Sequence, residues 1–109
     1  MKKSEIKFTV TLDDNNLPEK IDWVAADVNE ESTSKAIMIA LWDAKENNTL
    51  RIDLWTKDMV VDEMKQFYHQ SLLSMADTFE RATGEVEASK EIRNFAQHFA
   101  EKLNLIAKK

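Results

Sequence analysis

The sequence predicts an α+β fold in which a four-stranded antiparallel sheet is followed by two helices packed on one face of that sheet (ββββαα). Side chains alternate between apolar and polar with a period of two in the first half of the chain. After Trp55 the apolar residues recur every three or four positions, which is typical of amphipathic helices. Each helix carries a single apolar stripe, so both can cover the same side of the sheet.

Length and composition limit the class of protein. A chain of 109 residues is long enough for one domain, and we expect a single domain over residues 1–109. The net charge of −5 argues against a surface for nucleic acid or anionic lipid. The absence of cysteine excludes disulfides and thiolate metal sites. The opening segment alternates like a strand and resembles no signal peptide, and no apolar run reaches the ~20 residues of a membrane span, so we expect a cytoplasmic protein.

The first two strands are predicted from alternation and turn residues. The residues Ile6, Phe8, Val10 and Leu12 share one apolar face, and Glu5, Lys7, Thr9 and Thr11 share the opposite face. "DDNNLPEK" then supplies a turn. "DDNN" resembles the beginning of a calcium loop, but no glycine and no terminal glutamate follow at the required positions. The second strand is predicted at about Lys20 to Ala26, with Ile21 and Trp23 directed to the core. The polar segment "DVNEESTS" is predicted to be a loop.

The last two strands are predicted to form a hairpin from "KAIMIALW", Lys35–Trp42, and "LRIDLW", Leu50–Trp55. Opposing residue numbers in an antiparallel pair have a constant sum, and this sum must be odd if the apolar residues are to share a face. The predicted core face comprises Ile37, Ile39, Leu41, Leu50, Ile52 and Leu54. Both a tight Asn47–Asn48 turn and a four-residue loop are compatible with the residues, because asparagine accepts positive φ.

The helical half begins with a long helix predicted from Met59 to Ala82, capped by Thr56 or Asp58 and ended by Gly84. At ~1.5 Å per residue this helix is about 36 Å long and should extend past the sheet. Met75 and Phe79 would then be covered by the last helix or by a second subunit. The stripe of the last helix comprises Ile92, Phe95, Ala96, Phe99, Leu103 and Ile106.

No pattern in the sequence indicates catalysis, a cofactor or a metal. His69 and His98, the only histidines, lie on separate predicted helices without a neighbouring ligand pattern, so we interpret them as surface residues. The single glycine cannot build a phosphate-binding loop, and no nucleophile motif is present. We therefore expect no enzyme activity.

Aromatic residues on the polar face of the hairpin are the most informative feature. An odd register places Met38, Trp42, Arg51, Asp53 and Trp55 on one face, opposite the predicted core face. Exposed aromatic residues beside arginine are typical of protein-binding surfaces. The local alternative is structural: Trp55 could pack on Val60 at the helix entry, and Trp42 could stack over Arg51.

Three segments resemble the gliding motility-associated GldC family of the Bacteroidetes. They are "LDDNNLPEKIDWVAAD", "KAIMIALWDAKENNTLRIDLWTKDMVVDEMKQFYHQSLLSMADTFERAT" and "EIRNFAQHFAEKL", and the resemblance extends from Ser4 to about Leu103. The segment Leu50–Met64 is its most specific part. The family pattern leads us to expect threonine in place of Val60, paired with Glu63, and the cap of the long helix would then move to Thr56 or Asp58.

The resemblance implies a small accessory protein that supports gliding, is not a known enzyme and carries no catalytic residues to transfer. We therefore expect a protein-interaction module that acts through the open sheet face on a protein component of the gliding machinery. It would reach the inner membrane only through such a partner, without inserting into it. Two alternatives stay open: a self-associating protein that forms a homodimer, and a small-molecule-binding domain with a pocket between sheet and helices.

Overall fold

The computed structural model describes residues 2–106. Its internal contacts divide the chain into two compact units, Met1–Met59 and Val60–Lys109. The first unit contains antiparallel strands and the second contains two helices. The α+β class is therefore confirmed, whereas the single domain over residues 1–109 stays a prediction.

A three-stranded antiparallel sheet forms the first part of the strand unit. Its strands are β1, Ile6–Leu12; β2, Pro18–Ala25; and β3, Glu30–Ser34, with β2 in the centre. The predicted first strand is confirmed, with β1 beginning one residue after Glu5, and β2 begins two residues earlier than predicted. A 3₁₀ turn, Ala26–Val28, leads from β2 to β3.

The strand β3 corrects the prediction of a polar loop for this segment. Its five residues are all polar, so no alternation of apolar and polar side chains marks them as a strand. The strand is instead defined by its backbone pairing with β2, in which Ser34 lies opposite Ile21 and Ser32 opposite Trp23. Backbone hydrogen bonds of this kind do not depend on the side chains.

The remaining strands form a separate two-stranded sheet, consisting of β4, Ala36–Asp43, and β5, Asn48–Trp55. Ala36 lies opposite Trp55, so opposing residue numbers sum to 91. The predicted odd sum is therefore confirmed. A four-residue loop, 44–47, connects the strands and ends with Asn47 at a φ of 55°.

The prediction of one four-stranded sheet is wrong, because the five strands divide into sheets of three and two. The chain passes from β3 to β4 through a single bent residue, Lys35. The Thr56 N–H donates to the Lys35 carbonyl at 2.7 Å, and the Lys57 N–H donates to the Pro18 carbonyl at 3.0 Å. Alternation along a strand defines its faces but not the strand edges that pair, which is why the sequence did not predict the division.

Burial differs between the two sheets. Ile21 in β2 is completely buried, and its neighbour on the same face, Trp23, is half-buried. The predicted core face of the hairpin is only partly covered: Leu41, Leu50 and Ile52 are about half exposed. Apolar side chains are therefore exposed on both sides of the hairpin.

The helical unit consists of α1, Val61–Thr83, and α2, Val86–Lys102. Gly84 ends α1 with a φ of 73°, and its N–H donates to the Glu80 carbonyl at 2.8 Å. The helix α2 ends before Leu103 and Ile106, which corrects their prediction as helical residues. The packing of both helices on one face of the sheet stays a prediction.

The start of α1 also corrects the sequence-based expectation. Its N-cap is Val60, whose N–H donates to Glu63 Oε1 at 3.0 Å, and the valine side chain cannot accept a bond in return. Neither Thr56 nor Asp58 caps the helix. The Thr56 hydroxyl donates instead to Asp58 Oδ1 at 2.6 Å, and this bond lowers the pKa of the Asp58 carboxyl.

One arginine connects the two helices. Arg93 on α2 donates to Glu80 Oε1 and to Asp77 Oδ1 on α1, each at 2.9 Å. These carboxylates raise the pKa of Arg93 and keep it charged. The completely buried residues of the unit are small, which allows the helices to approach closely: Ala76, Ser89, Ala96 and Ala100.

Candidate protein-interaction surface

The hairpin face predicted from the sequence is present in the structure. The β4–β5 register places Met38 opposite Asp53, Ala40 opposite Arg51 and Ala36 opposite Trp55. Trp42 lies opposite Thr49, and alternation along each strand brings all of these side chains to one side of the sheet. We call Met38, Trp42, Arg51, Asp53 and Trp55 the hairpin face.

Both tryptophans of the hairpin face are exposed. Trp42 is 68% exposed and Trp55 is 56% exposed, whereas Met38 is half-buried. An indole offers a large apolar area with one N–H donor, so it can both fill a pocket and make a directed hydrogen bond. Within the described part of the chain, the exposed area of the two indoles is therefore available for contact with another molecule.

Arg51 and Asp53 form an ion pair on the hairpin face, which also carries the two tryptophans. Arg51 Nη2 lies 3.0 Å from Asp53 Oδ1, and Arg51 Nε lies 3.2 Å from Asp53 Oδ2. This two-point contact orients the guanidinium along the strand. The register also makes Arg51 a diagonal neighbour of Trp42, at a distance that long side chains can bridge. The stacking of Trp42 on Arg51 and the packing of Trp55 on Val60 stay predictions.

A cleft adjoins the hairpin face at the end of β5. It has a volume of about 330 Å³ and a mostly apolar lining. Its walls are Leu17, Pro18, Asp53, Leu54, Trp55 and Lys57. Asp53 and Trp55 were predicted as site residues, but Leu17, Pro18 and Lys57 were not. No signal in the sequence could have identified them, because the β1–β2 turn reaches β5 only through the tertiary fold.

Electrostatic contacts hold the β1–β2 turn in place beside this cleft. Asp13 Oδ1 accepts the N–H groups of Asn15 at 2.8 Å and Leu17 at 3.0 Å. Lys57 Nζ lies 3.0 Å from Asp13 Oδ2 and 3.6 Å from Glu19 Oε1. The bonds from Leu17 and Lys57 lower the pKa of the Asp13 carboxyl, and Asp13 in turn raises the pKa of Lys57.

Residues 2–106 contain neither a cluster of metal ligands nor a helix suited to span a membrane. No group of three or more His, Asp or Glu side chains in this part of the chain is arranged to hold a metal ion. Among the described helices, none combines the length and the hydropathy that crossing a membrane demands.

The fold and the hairpin face define a small α+β protein that contains a two-helix unit and exposes an aromatic surface on a β-hairpin. A family model described as gliding motility-associated protein GldC-like matches residues 18–105, which cover β2 to α2. The chain therefore belongs to the GldC-like family, and the resemblance found in the sequence is confirmed. Comparison with curated proteins and with solved structures finds no match.

Proposed function

We propose that this member of the GldC-like family is a non-enzymatic accessory protein of bacterial gliding motility that binds a protein partner through the hairpin face. The association with gliding motility comes from the family. The hairpin face and the protein partner are our inference from the exposed side chains.

The observation that supports the proposal most strongly is the exposure of Trp42 and Trp55 on the same face as a fixed arginine. Tryptophan and arginine are the residues most enriched among those that dominate binding energy at interfaces. Covering about 100 Å² of each indole would contribute on the order of 2–3 kcal/mol before the cost of association. Two such anchors on one face of a hairpin can support a specific contact of moderate affinity.

The charge of the chain supports the choice of a protein as partner. With a net charge of −5, the protein is repelled by nucleic acid and by anionic lipid headgroups. The partner we propose is a protein component of the gliding machinery. In this proposal the chain acts in the cytoplasm, and any association with the inner membrane is made through that partner.

Pull-down from a gliding bacterium that naturally carries this protein tests the proposal. Tagged wild-type protein is compared with Trp42→Ala and Trp55→Ala, and captured proteins are quantified by mass spectrometry. Phe95→Ala is the matched control, because Phe95 is an aromatic residue of similar exposure, 57%, on α2. We expect both tryptophan variants to lose a partner that the wild type and Phe95→Ala retain.

Thermal unfolding of the same variants separates binding from folding. We expect the thermal midpoints of the tryptophan variants to stay close to that of the wild type, because both side chains are mostly exposed. Retention of every specific partner by both stable variants contradicts the hairpin face as the binding surface. Unfolding of both variants supports the purely structural interpretation of the tryptophans.

A further inference from the structure

We propose that two copies of this chain associate by antiparallel pairing of their β5 strands, edge to edge, around a two-fold axis at Ile52. The pairing would join two hairpins into one four-stranded sheet. This inference goes beyond the proposed function, since it uses the outer edge of β5 and a second copy, whereas the proposed function uses the hairpin face and a different protein.

Two backbone hydrogen bonds define the outer edge of β5. The Thr56 N–H donates to Lys35 on the β4 side, and the Lys57 N–H donates to Pro18 on the opposite side. Because successive residues of a strand direct their N–H and C=O groups to opposite edges, Leu50, Ile52 and Leu54 bond to β4. The backbone groups directed away from β4 belong to Thr49, Arg51, Asp53 and Trp55.

The length of the outer edge of β5 indicates which residue lies at the centre of the proposed pairing. In the described part of the chain β5 pairs only with β4. The strand begins at Asn48, and the edge is taken by Pro18 from Lys57 onward. The midpoint of the stretch from Asn48 to Thr56 is Ile52, so a pairing centred there uses the whole edge. The cleft lined by Leu17, Pro18 and Trp55 lies at the end of this edge, where the pairing places Thr49 of the second copy opposite Trp55.

Charge selects the same register independently. Two-fold pairing centred on Ile52 places Arg51 opposite Asp53 of the second copy, and Asp53 opposite Arg51 of the second copy. Moving the axis by one residue in either direction would oppose Arg51 to Arg51 or Asp53 to Asp53. Opposite charges directly across a ladder stabilise it and like charges destabilise it, so both neighbouring registers are disfavoured.

The other face of the same register is apolar at its centre, with Asn48 and Thr56 paired at its two ends. Leu50 would lie opposite Leu54 of the second copy, and Ile52 opposite Ile52. Leu50 and Ile52 are 51% and 50% exposed, which leaves a large part of each side chain to be covered. Branched apolar residues opposite one another are favourable cross-strand pairs.

The other sheet edges lack this self-complementarity. The strand β1 contains a single charged residue, Lys7, and β4 contains only Asp43. The strand β3 carries Glu30 and Glu31, which would repel a second copy. A two-stranded sheet is marginal by itself, whereas four strands give a cooperative unit, so the β4–β5 hairpin gains most from pairing.

Charge reversal with a mixing experiment tests the dimer. Sedimentation equilibrium of the full chain gives the dissociation constant for the wild type, Arg51→Asp, Asp53→Arg and the double variant Arg51→Asp/Asp53→Arg. We expect each single reversal to raise the dissociation constant about tenfold or more, since both symmetric pairs become repulsive. The double variant should dimerise like the wild type, and an equimolar mixture of the two single variants should form a heterodimer.

The heterodimer is the decisive result, because each of its two cross-strand pairs joins an aspartate of the first single variant to an arginine of the second. An ion pair between Arg51 and Asp53 of the same chain is absent from both single variants, so it cannot explain a heterodimer.

Arg81→Glu, with the same change of net charge on α1, should dimerise like the wild type. Trp42→Ala should also stay dimeric, so loss of partner capture without loss of the dimer distinguishes the two proposals. A wild type that is monomeric up to high micromolar concentration overturns this inference, as does a mixture without heterodimer.

Discussion

The Lys57 ammonium group lies 3.0 Å from the Asp13 carboxylate, so a residue just after β5 is bonded to the turn that precedes β2. The bond is reinforced by the backbone contact between Lys57 and the Pro18 carbonyl. Together these contacts connect the two sheets of the strand unit and form one wall of the cleft.

Asp13→Asn should reduce stability in a pH-dependent manner. The folded state lowers the pKa of Asp13 below its ordinary value of 3.8. The carboxylate therefore stabilises the fold above pH 3.8, and this stabilisation is lost as the pH falls through the lower, folded pKa. Urea unfolding should show the wild type more stable than Asp13→Asn at pH 7, with the gap closing below pH 3.8. A difference in the free energy of unfolding that stays constant down to the most acidic conditions contradicts a lowered pKa of Asp13 in the folded state.

Ile21→Ala should destabilise the protein most strongly among single apolar truncations in β2. The side chain is completely buried, and its removal leaves a cavity, with an expected loss of about 2–5 kcal/mol in the free energy of unfolding. Ile21→Val should lose about 0.5–1.5 kcal/mol. Ile6→Ala is the control, because Ile6 is 63% exposed and should change the value by less than about 1 kcal/mol. Equal losses for Ile6 and Ile21 in chemical denaturation would disprove the assigned burial.

Val60→Thr should stabilise α1. Glu63 already accepts the Val60 N–H, so a threonine hydroxyl would add the missing reciprocal bond of a capping box. The expected gain is about 0.5–1 kcal/mol, measured by thermal or urea unfolding. Val60 is 57% exposed, so little packing is lost. Val61→Thr, one position into the helix, cannot cap and should give no gain.

Gly84→Ala should destabilise the turn between the helices through backbone strain alone. A methyl group at this position would meet no atom within 4 Å, but the φ of 73° is unfavourable for a residue with a Cβ. We expect a loss of about 1–2 kcal/mol in the free energy of unfolding. Gly84→Asn should lose less, because asparagine tolerates this conformation. The same loss for alanine and asparagine would indicate a cause other than φ.

Local pattern was sufficient for much of the fold. The alternation from Glu5 to Leu12 predicted β1 to within one residue at its start, and the apolar stripe predicted α1 to within two residues at its start and one at its end. The odd register sum followed from the faces of two strands, without any coordinates. These features depend on side chains close together along the chain.

Two of the missed features depend on backbone atoms far apart along the chain, and a third depends on a local side-chain bond. Nothing in the side chains of Glu30–Ser34 predicts a strand, because its order comes from pairing with β2. The cap at Val60 was missed because the Glu63 side chain, without a reciprocal hydroxyl, satisfies the N–H. Leu17 and Pro18 were missed as residues of the cleft because they reach β5 only in the folded chain.

Residue order therefore sufficed for the α+β class, the faces of β1, β2, β4 and β5, the family and the shared face of the five hairpin-face residues. The folded chain was needed for the division into two sheets, the register sum of 91 and the position of Pro18 at the end of the outer edge of β5. The physical reason is that side-chain periodicity determines which face of an element is apolar. Backbone hydrogen bonds between edges are nearly independent of the side chains, so the choice of pairing is made by the geometry of the whole unit.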